Sequence, residues 1–490
     1  MDPVSSFFVS SSLSLAQRLQ LSNMVYYGVV SKGCQRCRQR KIKCDQRKPE
    51  CTRCHKSGLP CPGYRDLNEV IFRDESSRII RISRKGERKQ TGPALSPSAA
   101  NPLPASLTSP ADEVGANFFF AKYVFHQDPF STSSGYQDWL ATAYRHHDGR
   151  FAPLRAAVEA AGLAGLSNIN PSPQLSVQSR QQYRHALTAV KEALSNPSQA
   201  ADDATLMAVI LLGLYEMINF DTWDRYHSWT THIQGATALL DLRGQEQFTR
   251  ERGGQLYVQI RPQILLACMK QRVAVPPALV TATYNFQSSG IREQLHQRET
   301  RNPASICEIS FRVVNLRAAV KHGTLSQEAI LQSALDIDAD LKTWREGLPF
   351  SWEYCTSDDS TGFNGKRHQY GSLSMAKVWN NWRTLCILVG RIVVQNKVCA
   401  VERKATTLRW IHELMADVCI SASSVGEDGF ALSLVQPLHI IAIQSLAPLD
   451  TRRFAVEKLR SIGVLTGVRI AVLLANDIAR RLKEQSFEGG

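Results

Sequence analysis

Six cysteines near the N-terminus constrain this 490-residue chain more than any other feature of its sequence. They follow the spacing C-x2-C-x6-C-x6-C-x2-C-x6-C, in which the first three recur 17 positions later as the second three, at Cys34, Cys37, Cys44, Cys51, Cys54 and Cys61. Two cysteines three residues apart on one helical turn share a face and can hold one metal ion. Each half supplies three thiolates, one fewer than structural zinc prefers, so sharing two of the six would give each of two Zn²⁺ ions four ligands.

Other interpretations of these cysteines are weaker. A chance cluster does not explain a doubled pattern, and iron–sulfur sites usually use four thiolates at other spacings. The first 24 residues lack the basic start and the small-residue cleavage site of an export signal, so a reducing compartment is expected and a disulfide knot is disfavoured. His55 could be a seventh ligand, but the sulfurs already complete the set, which favours a surface or phosphate-facing role. We therefore predict two bound zinc ions, preceded by a disordered tail over residues 1–31.

The positive charge of the chain is concentrated around the same cysteines. Residues 32–91 hold 18 Lys and Arg against 7 Asp and Glu, which is +11 of the formal net charge of +14. Such a segment favours nucleic acid or another anionic surface as its partner. Because Ile42 and Leu59 are its only large aliphatic residues between the first and last cysteine, zinc must supply the folding energy, on the order of 10 kcal/mol for structural sites.

The cysteine spacing and its flanking residues resemble the fungal binuclear zinc-cluster (Zn₂Cys₆) transcription factors. The resemblance covers residues 32 to about 75 and includes the basic run 36–43, Pro49 two residues before Cys51, and the tail Cys61-Pro62-Gly63-Tyr64-Arg65. It implies a Zn₂Cys₆ DNA-binding domain over residues 32–66, two zinc ions, a helix beginning at each CxxC pair and a CGG-like half-site in double-stranded DNA.

The resemblance also assigns roles to the basic side chains. Arg40 and Lys41, three and four positions after the second cysteine, correspond to the residues that read base edges in the major groove. The other basic residues are assigned to phosphates, which set orientation and make binding salt-dependent; they are Arg36, Arg38, Lys43, Arg53 and Lys56. For any one of them the alternative is a solvated basic face that serves nuclear import.

Residues 67–115 are predicted to be a linker. Residues 67–82 hold one or two amphipathic turns but no sustained heptads, so a homodimer is a candidate assembly without support from a coiled coil beside the cluster. A second basic stretch at 81–89 indicates nuclear import, further phosphate contacts or a solvated linker. Residues 90–115 are rich in Pro, Ser and Ala, which predicts a flexible tether.

Residues 116–485 are predicted to form a large all-α domain of about a dozen helices. Apolar residues at helical spacing run from Met375 to Ile392 and from Phe454 to Leu482, and residues 206–218 are apolar nearly all round, as in a buried helix. Residues 205–268, with Leu239, Leu240 and the sequence Leu242-Arg243-Gly244, resemble the fungal-specific regulatory domain of the same factors. Gly244 also predicts a helix stop. No uncharged apolar run reaches the ~18–20 residues that cross a bilayer, which excludes a membrane protein.

An enzyme and a metabolite sensor are the main rival functions. No phosphate-cradling Gly loop, HExxH, GxSxG or nucleotide fingerprint is present, so we predict no enzymatic activity. His146-His147-Asp148 is interpreted as a surface cluster, and most of the six remaining cysteines as core packing. A sensor could bind an effector in a pocket lined by Trp223, Trp229, Trp379 and Trp382, although aromatic residues at helical spacing are more often core. We predict a nuclear, sequence-specific regulator of RNA polymerase II genes that works with the transcription machinery.

Overall fold

The structure is a computed structural model that describes residues 34–40, 42–47, 49–62, 110–124, 137–223, 225–298, 306–424 and 429–488. These residues fall into two units, a cysteine-rich module within residues 34–62 and a helical body within residues 110–488. The predicted tail at 1–31, linker residues 67–109 and Lys41 lie outside the described residues.

The cysteine-rich module contains two short helices, α1 (Gln35–Gln39) and α2 (Thr52–Lys56). Each begins one residue after the first cysteine of a CxxC pair, as predicted. The buried residues of the module are cysteines, whereas Ile42 and Leu59 are 40% and 43% exposed. The described part of the module therefore has no aliphatic core that could hold it together without metal.

The described residues of the helical body form seventeen α-helices and one β-hairpin. This confirms the all-α class, and the count exceeds the dozen predicted because several helices are short. The hairpin pairs β1 (Cys355–Asp358) with antiparallel β2 (Lys366–Gln369), from Cys355 opposite Gln369 to Asp358 opposite Lys366. The helices are α3 Ala111–Lys122, α4 Gln137–Arg145, α5 Ala152–Ile169, α6 Pro173–Ser195, α7 Pro197–Ala200, α8 Asp203–Ile218, α9 Arg225–Arg243, α10 Glu251–Gln271, α11 Pro277–Gln287, α12 Gly290–Arg298, α13 Ile306–His322, α14 Gln327–Glu346, α15 Leu373–Gln395, α16 Val401–Ser423, α17 Val435–Ala442, α18 Leu449–Thr466 and α19 Arg469–Glu488.

Several helix starts follow from capping side chains. Ser172, Ser326 and Ser372 precede α6, α14 and α15, and each accepts the backbone N–H three residues on. Such a bond satisfies one of the free N–H groups of the first turn. These serines fix where the long helices begin.

The helical body has two hydrophobic cores. The first is built mainly from α3 to α11 and contains α8, whose residues 204–213 are buried almost without interruption. The second is built mainly from α13 to α19 and contains α15. Met269 of α10 packs against both cores. The predicted buried helix at 206–218 and the predicted apolar face of 375–392 are both confirmed.

One predicted boundary is wrong, and one predicted apolar run is divided, because of contacts that are distant in sequence. The predicted linker end at 115 is too late, since α3 begins at Ala111 and Gly115 lies against α5. The apolar run from 454 to 482 is two helices, because Gly467 has a φ of 73° and ends α18. A Cβ at Gly467 would also lie 2.4 Å from the carbonyl oxygen of Gly165. Gly244, with a φ of 53°, directly follows α9 and confirms the predicted stop.

Candidate metal centre and nucleic-acid interface

Four cysteine sulfurs of the two CxxC pairs lie together inside the module. The Sγ atoms of Cys34, Cys37, Cys51 and Cys54 are all within 4.8 Å of one another, and all four residues are buried. Cys34 Sγ lies 3.7 Å from Cys51 Sγ and 3.7 Å from Cys54 Sγ. Cys51 Sγ lies 3.8 Å from Cys37 Sγ. The first cysteine of each half therefore contacts the CxxC pair of the other half.

These separations fit shared metal coordination. A disulfide would place two sulfurs about 2.05 Å apart. Tetrahedral Zn²⁺ with Zn–S bonds of about 2.3 Å separates its sulfurs by about 3.8 Å. The distances in the structure match the tetrahedral value, so the donor set suits zinc and not a disulfide.

The third cysteine of each half lies at the edge of this group. Cys44 Sγ accepts the backbone N–H of Cys34 at 3.5 Å and lies within 4.8 Å of Cys51 Sγ. Cys61 packs against the buried cysteines and is partly buried. The structure thus brings all six predicted ligands to one cluster, with Cys34 and Cys51 at its centre.

Backbone N–H groups point at the central sulfurs. Cys37 N–H donates to Cys34 Sγ at 3.5 Å, and Cys54 N–H donates to Cys51 Sγ at 3.4 Å. Hydrogen bonds of this kind favour the charged thiolate. Burial and the neighbouring sulfurs, however, raise the pKa of Cys37 to about 12 and also raise the pKa of Cys54. Metal binding therefore has to displace protons, and acid should release the metal.

Asp45 makes a contact between the two halves of the module that the cysteine pattern does not predict. Its carboxylate accepts the Thr52 backbone N–H at 3.2 Å and also the Thr52 hydroxyl. The hydrogen bond from the Thr52 side chain contributes most to lowering the pKa of Asp45, and this keeps the carboxylate ionised. Because Asp45 follows the first half and Thr52 begins α2, this contact ties the two halves together. The sequence signal is an acidic residue next to Cys44 and seven residues before the first residue of α2.

Most of the basic side chains that are predicted to contact DNA and that the structure describes are exposed. Four of them have exposed side chains, at Arg40, Lys43, Arg53 and Lys56, and Arg36 is partly exposed. Arg40 follows α1 and its N–H donates to the Arg36 carbonyl at 3.1 Å, which continues the helical turn. Arg38 lies in α1, but its side chain and Lys41 fall outside the described residues. His55 is exposed on α2, which agrees with a surface role.

The rival sites do not assemble in the described helical body. His146, His147 and Asp148 are exposed, and Asp148 accepts the N–H of Arg150 at 3.0 Å as a local cap. Five of the six other cysteines are buried, with Cys355 exposed on β1.

The four tryptophans proposed for an effector pocket do not line a common space. Trp229 belongs to the first core, whereas Trp379 and Trp382 belong to the second. The indole N–H groups of this pair donate to the carbonyls of Trp352 and Leu341 at 2.9 and 2.8 Å. Trp223 is 53% exposed. The tryptophans are therefore core or surface residues.

Comparison with known proteins identifies two domains. Residues 32–69 match the fungal Zn(2)-Cys(6) binuclear cluster domain, and residues 117–268 match the fungal specific transcription factor domain. A cluster domain of this kind binds two zinc ions, which confirms the predicted cofactor. No helix in the described part of the chain is both long and apolar enough to span a membrane.

Curated fungal regulators share parts of this chain. "Transcription regulator lscL" of Purpureocillium lilacinum is 30% identical over 189 residues, which cover 37% of this chain and 43% of the relative. "Arginine metabolism regulation protein II" of Saccharomyces cerevisiae is 36% identical over 103 residues, 20% of this chain and 10% of the relative. "Zn(2)-C6 fungal-type transcription factor afumD" of Aspergillus fumigatus is 51% identical over 37 residues, 8% of this chain and 10% of the relative. This chain spans less than half the length of each of them, and no solved structure matches it.

Proposed function

We propose that this chain, which belongs to the fungal Zn₂Cys₆ transcription factors, is a nuclear, sequence-specific regulator of RNA polymerase II genes. The cysteine cluster would hold the DNA-reading helix, and the helical body would govern assembly or output. The observation that carries the proposal is the set of 3.7–3.8 Å sulfur separations in a module whose described basic side chains are mostly exposed.

Within the cluster, we assign Cys34 and Cys51 as the thiolates shared by both ions. Each contacts the CxxC pair of the other half, and each accepts a backbone N–H. One ion would then take Cys37 and Cys44 besides the shared pair, and the other would take Cys54 and Cys61. This division uses the proximity of Cys44 to Cys51 and gives both ions four sulfurs.

We assign base reading to the first half of the cluster. The 17-residue repeat aligns Arg40 and Lys41 of the first half with Ser57 and Gly58 of the second, so the second half lacks the corresponding basic pair. An arginine can bind guanine O6 and N7 together in the major groove. For the other basic residues we propose the phosphate contacts that the sequence predicts. These residues are Arg36, Arg38, Lys43, Arg53 and Lys56.

Zinc analysis and DNA selection test this function. Purified full-length protein should contain two zinc atoms and select a CGG-like half-site from random DNA. Cys34→Ser should lower the zinc content of both sites and abolish selection, whereas Cys355→Ser, which changes an exposed cysteine outside the cluster, should leave both unchanged. Far fewer than two zinc atoms in the wild-type protein would refute the proposal.

A paired substitution separates base reading from phosphate contact. Arg40→Ala should cost about 1–3 kcal/mol and relax specificity at one base pair. Arg53→Ala should weaken binding to all sequences and reduce the dependence of log K on log salt by about one unit. An equal loss on all sequences for Arg40→Ala would reassign it to a phosphate.

The remaining features follow from the family. The two matched domains are those of transcription factors, and we propose that the chain is not an enzyme. We propose double-stranded DNA and the transcription machinery as partners and keep a homodimer as a candidate assembly. The metabolite-sensing alternative is not favoured by the matched domains. We also propose residues 32–66 as the DNA-binding domain and place the start of the helical region at Ala111 rather than 116.

A further inference from the structure

Asp45 lies close enough to the cysteine cluster to bind a metal ion together with the thiolates. A carboxylate oxygen of Asp45 and the Sγ atoms of Cys44 and Cys51 all lie within 4.8 Å of one another. Zinc accepts carboxylate oxygens at about 2.0–2.2 Å as well as thiolates at about 2.3 Å. Because an oxygen and a sulfur on one tetrahedral ion are then about 3.6 Å apart, a shift of roughly 1 Å would make the carboxylate a ligand.

The contact with Thr52 holds this carboxylate beside both cysteines. The Thr52 backbone N–H lies 3.2 Å from each of the two Asp45 oxygens, and the Thr52 hydroxyl donates to one of them. Thr52 directly follows Cys51, just as Asp45 directly follows Cys44. A carboxylate has about four lone-pair sites, so it can accept these hydrogen bonds and bind a metal ion at the same time. Carboxylates that bind metals are ordinarily held by hydrogen bonds of this kind.

The second half of the cluster has no residue that corresponds to Asp45. The 17-residue repeat aligns Cys44 with Cys61 and Asp45 with Pro62, whose side chain has no atom that binds zinc. Cys44 and Cys61 are the two partly buried cysteines of the cluster, whereas the other four are buried. The third thiolate of each half is therefore the one nearest to solvent, and only in the first half does a carboxylate follow it in the sequence.

We propose that Asp45 is an auxiliary ligand of the first zinc site, where it takes the place of Cys44 when that thiolate is lost. This inference rests on the zinc cluster and on the division of ligands proposed above. With all six cysteines present, Asp45 stays bonded to Thr52 and each ion has four sulfurs. Without Cys44, the first ion keeps three sulfurs and gains the Asp45 oxygen. Without Cys61, the second ion is left with three protein ligands, so the second site loses its zinc first.

Zinc analysis of full-length variants tests this inference. Cys44→Ala should keep close to two zinc atoms, whereas Cys61→Ala should fall to about one. X-ray absorption at the zinc edge should detect an oxygen neighbour at about 2.0–2.2 Å in Cys44→Ala. Adding Asp45→Asn to Cys44→Ala removes the charge of the replacement ligand. This double variant should bind zinc at the first site roughly tenfold or more weakly in competition with a chelator.

Two further variants control for indirect effects. Asp45→Asn alone should keep two zinc atoms, since all six thiolates remain. Glu50 is another exposed acidic residue next to a cysteine, but it forms no such close group with two cysteines among the described residues. Adding Glu50→Gln to Cys44→Ala should therefore leave zinc binding unchanged.

Two results would overturn the proposal while wild type still binds two zinc atoms. One is a zinc content of Cys44→Ala equal to or below that of Cys61→Ala. The other is an equal zinc affinity of Cys44→Ala with and without Asp45→Asn. Far fewer than two zinc atoms in wild type would instead refute the zinc cluster on which the inference rests.

Discussion

Replacing Gly162 of α5 with alanine should destabilise the helical body, because α3 crosses α5 at this residue. A Cβ on Gly162 would lie 1.8 Å from the carbonyl oxygen of Gly115 and 3.1 Å from Phe119 Cβ. Non-bonded heavy atoms attract one another best at about 3.5–4.0 Å. The two helices would therefore have to move apart by more than about 1 Å, and the buried ring of Phe119 would lose contacts.

The expected loss combines two opposing contributions. Overpacking costs about 1–3 kcal/mol, and a clash with backbone belongs at the upper end because a carbonyl cannot change rotamer. Alanine regains about 0.5–1 kcal/mol over glycine inside a helix. We expect Gly162→Ala to lower the free energy of unfolding by about 2 kcal/mol.

Gly213→Ala on α8 is the matched control. A Cβ there would meet its nearest neighbour, His232 Cβ, at 3.6 Å, which is ordinary contact. This variant should gain about 0.5–1 kcal/mol from helix propensity. Urea denaturation of zinc-loaded full-length protein, followed by circular dichroism, measures both. Equal stability of the two variants would refute the crossing of α3 over α5. Residues 111–115 would then belong to the tether predicted for residues 90–115.

Three further predictions concern single charged or polar groups. Asp45→Ala removes the hydrogen-bond acceptor at the start of α2 and should weaken DNA binding roughly fivefold in a mobility-shift assay. Asp45→Asn should retain most of the affinity. Unchanged binding by Asp45→Ala would mean that α2 is held in place without this cap. Burial lowers the pKa of His232 to about 4. Below about pH 6.5 the unfolded chain therefore binds a proton at this position that the folded chain does not bind, and stability falls on acidification. Between pH 7 and 5, the free energy of unfolding of His232→Gln should fall by about 1–2 kcal/mol less than that of wild type in urea denaturation, and equal losses would contradict the pKa shift. Arg243→Gln breaks a buried ion pair of 2.6 Å with Asp203 and should lower the free energy of unfolding by about 3 kcal/mol in the same assay. Arg250 is an exposed partner of the same carboxylate at 3.6 Å, and Arg250→Gln should lower it by less than about 1 kcal/mol. Equal losses would show that burial does not decide the effect.

The metal site could be predicted because its determinants are local. The spacing of Cys34 and Cys37 fixes both sulfurs on one turn, and the repeat at Cys51 and Cys54 supplies the second pair. The long helices were predictable for a similar reason, since their apolar residues recur at helical spacing. The role of Asp45 was not predicted, because it depends on how the chain reverses direction between the two halves.

The errors in the helical body arise from close approaches between distant segments. Gly115 and Gly162 are 47 positions apart in the sequence, and only the fold shows that their helices touch. The hairpin at β1 and β2 was also missed, since its residues lack an alternating apolar pattern. Asn364-Gly365 was an available signal, because both residues have positive φ, 53° and 69°, and this dipeptide favours such turns.

The sequence Leu242-Arg243-Gly244 lies in the region that matches the fungal specific transcription factor domain, and its physical role is to end α9 and attach that end to α8. Gly244 takes the positive φ that stops the helix. Arg243 then donates to the Ala201 carbonyl at 2.7 Å and to Asp203 at 2.6 Å, at the start of α8. Leu242 is 60% exposed, whereas Leu239 and Leu240 are buried in the first core, so the guanidinium adds an ion pair to a hydrophobic contact. Because α8 forms the centre of the first core, the loss of this ion pair should loosen α9 before it affects the second core.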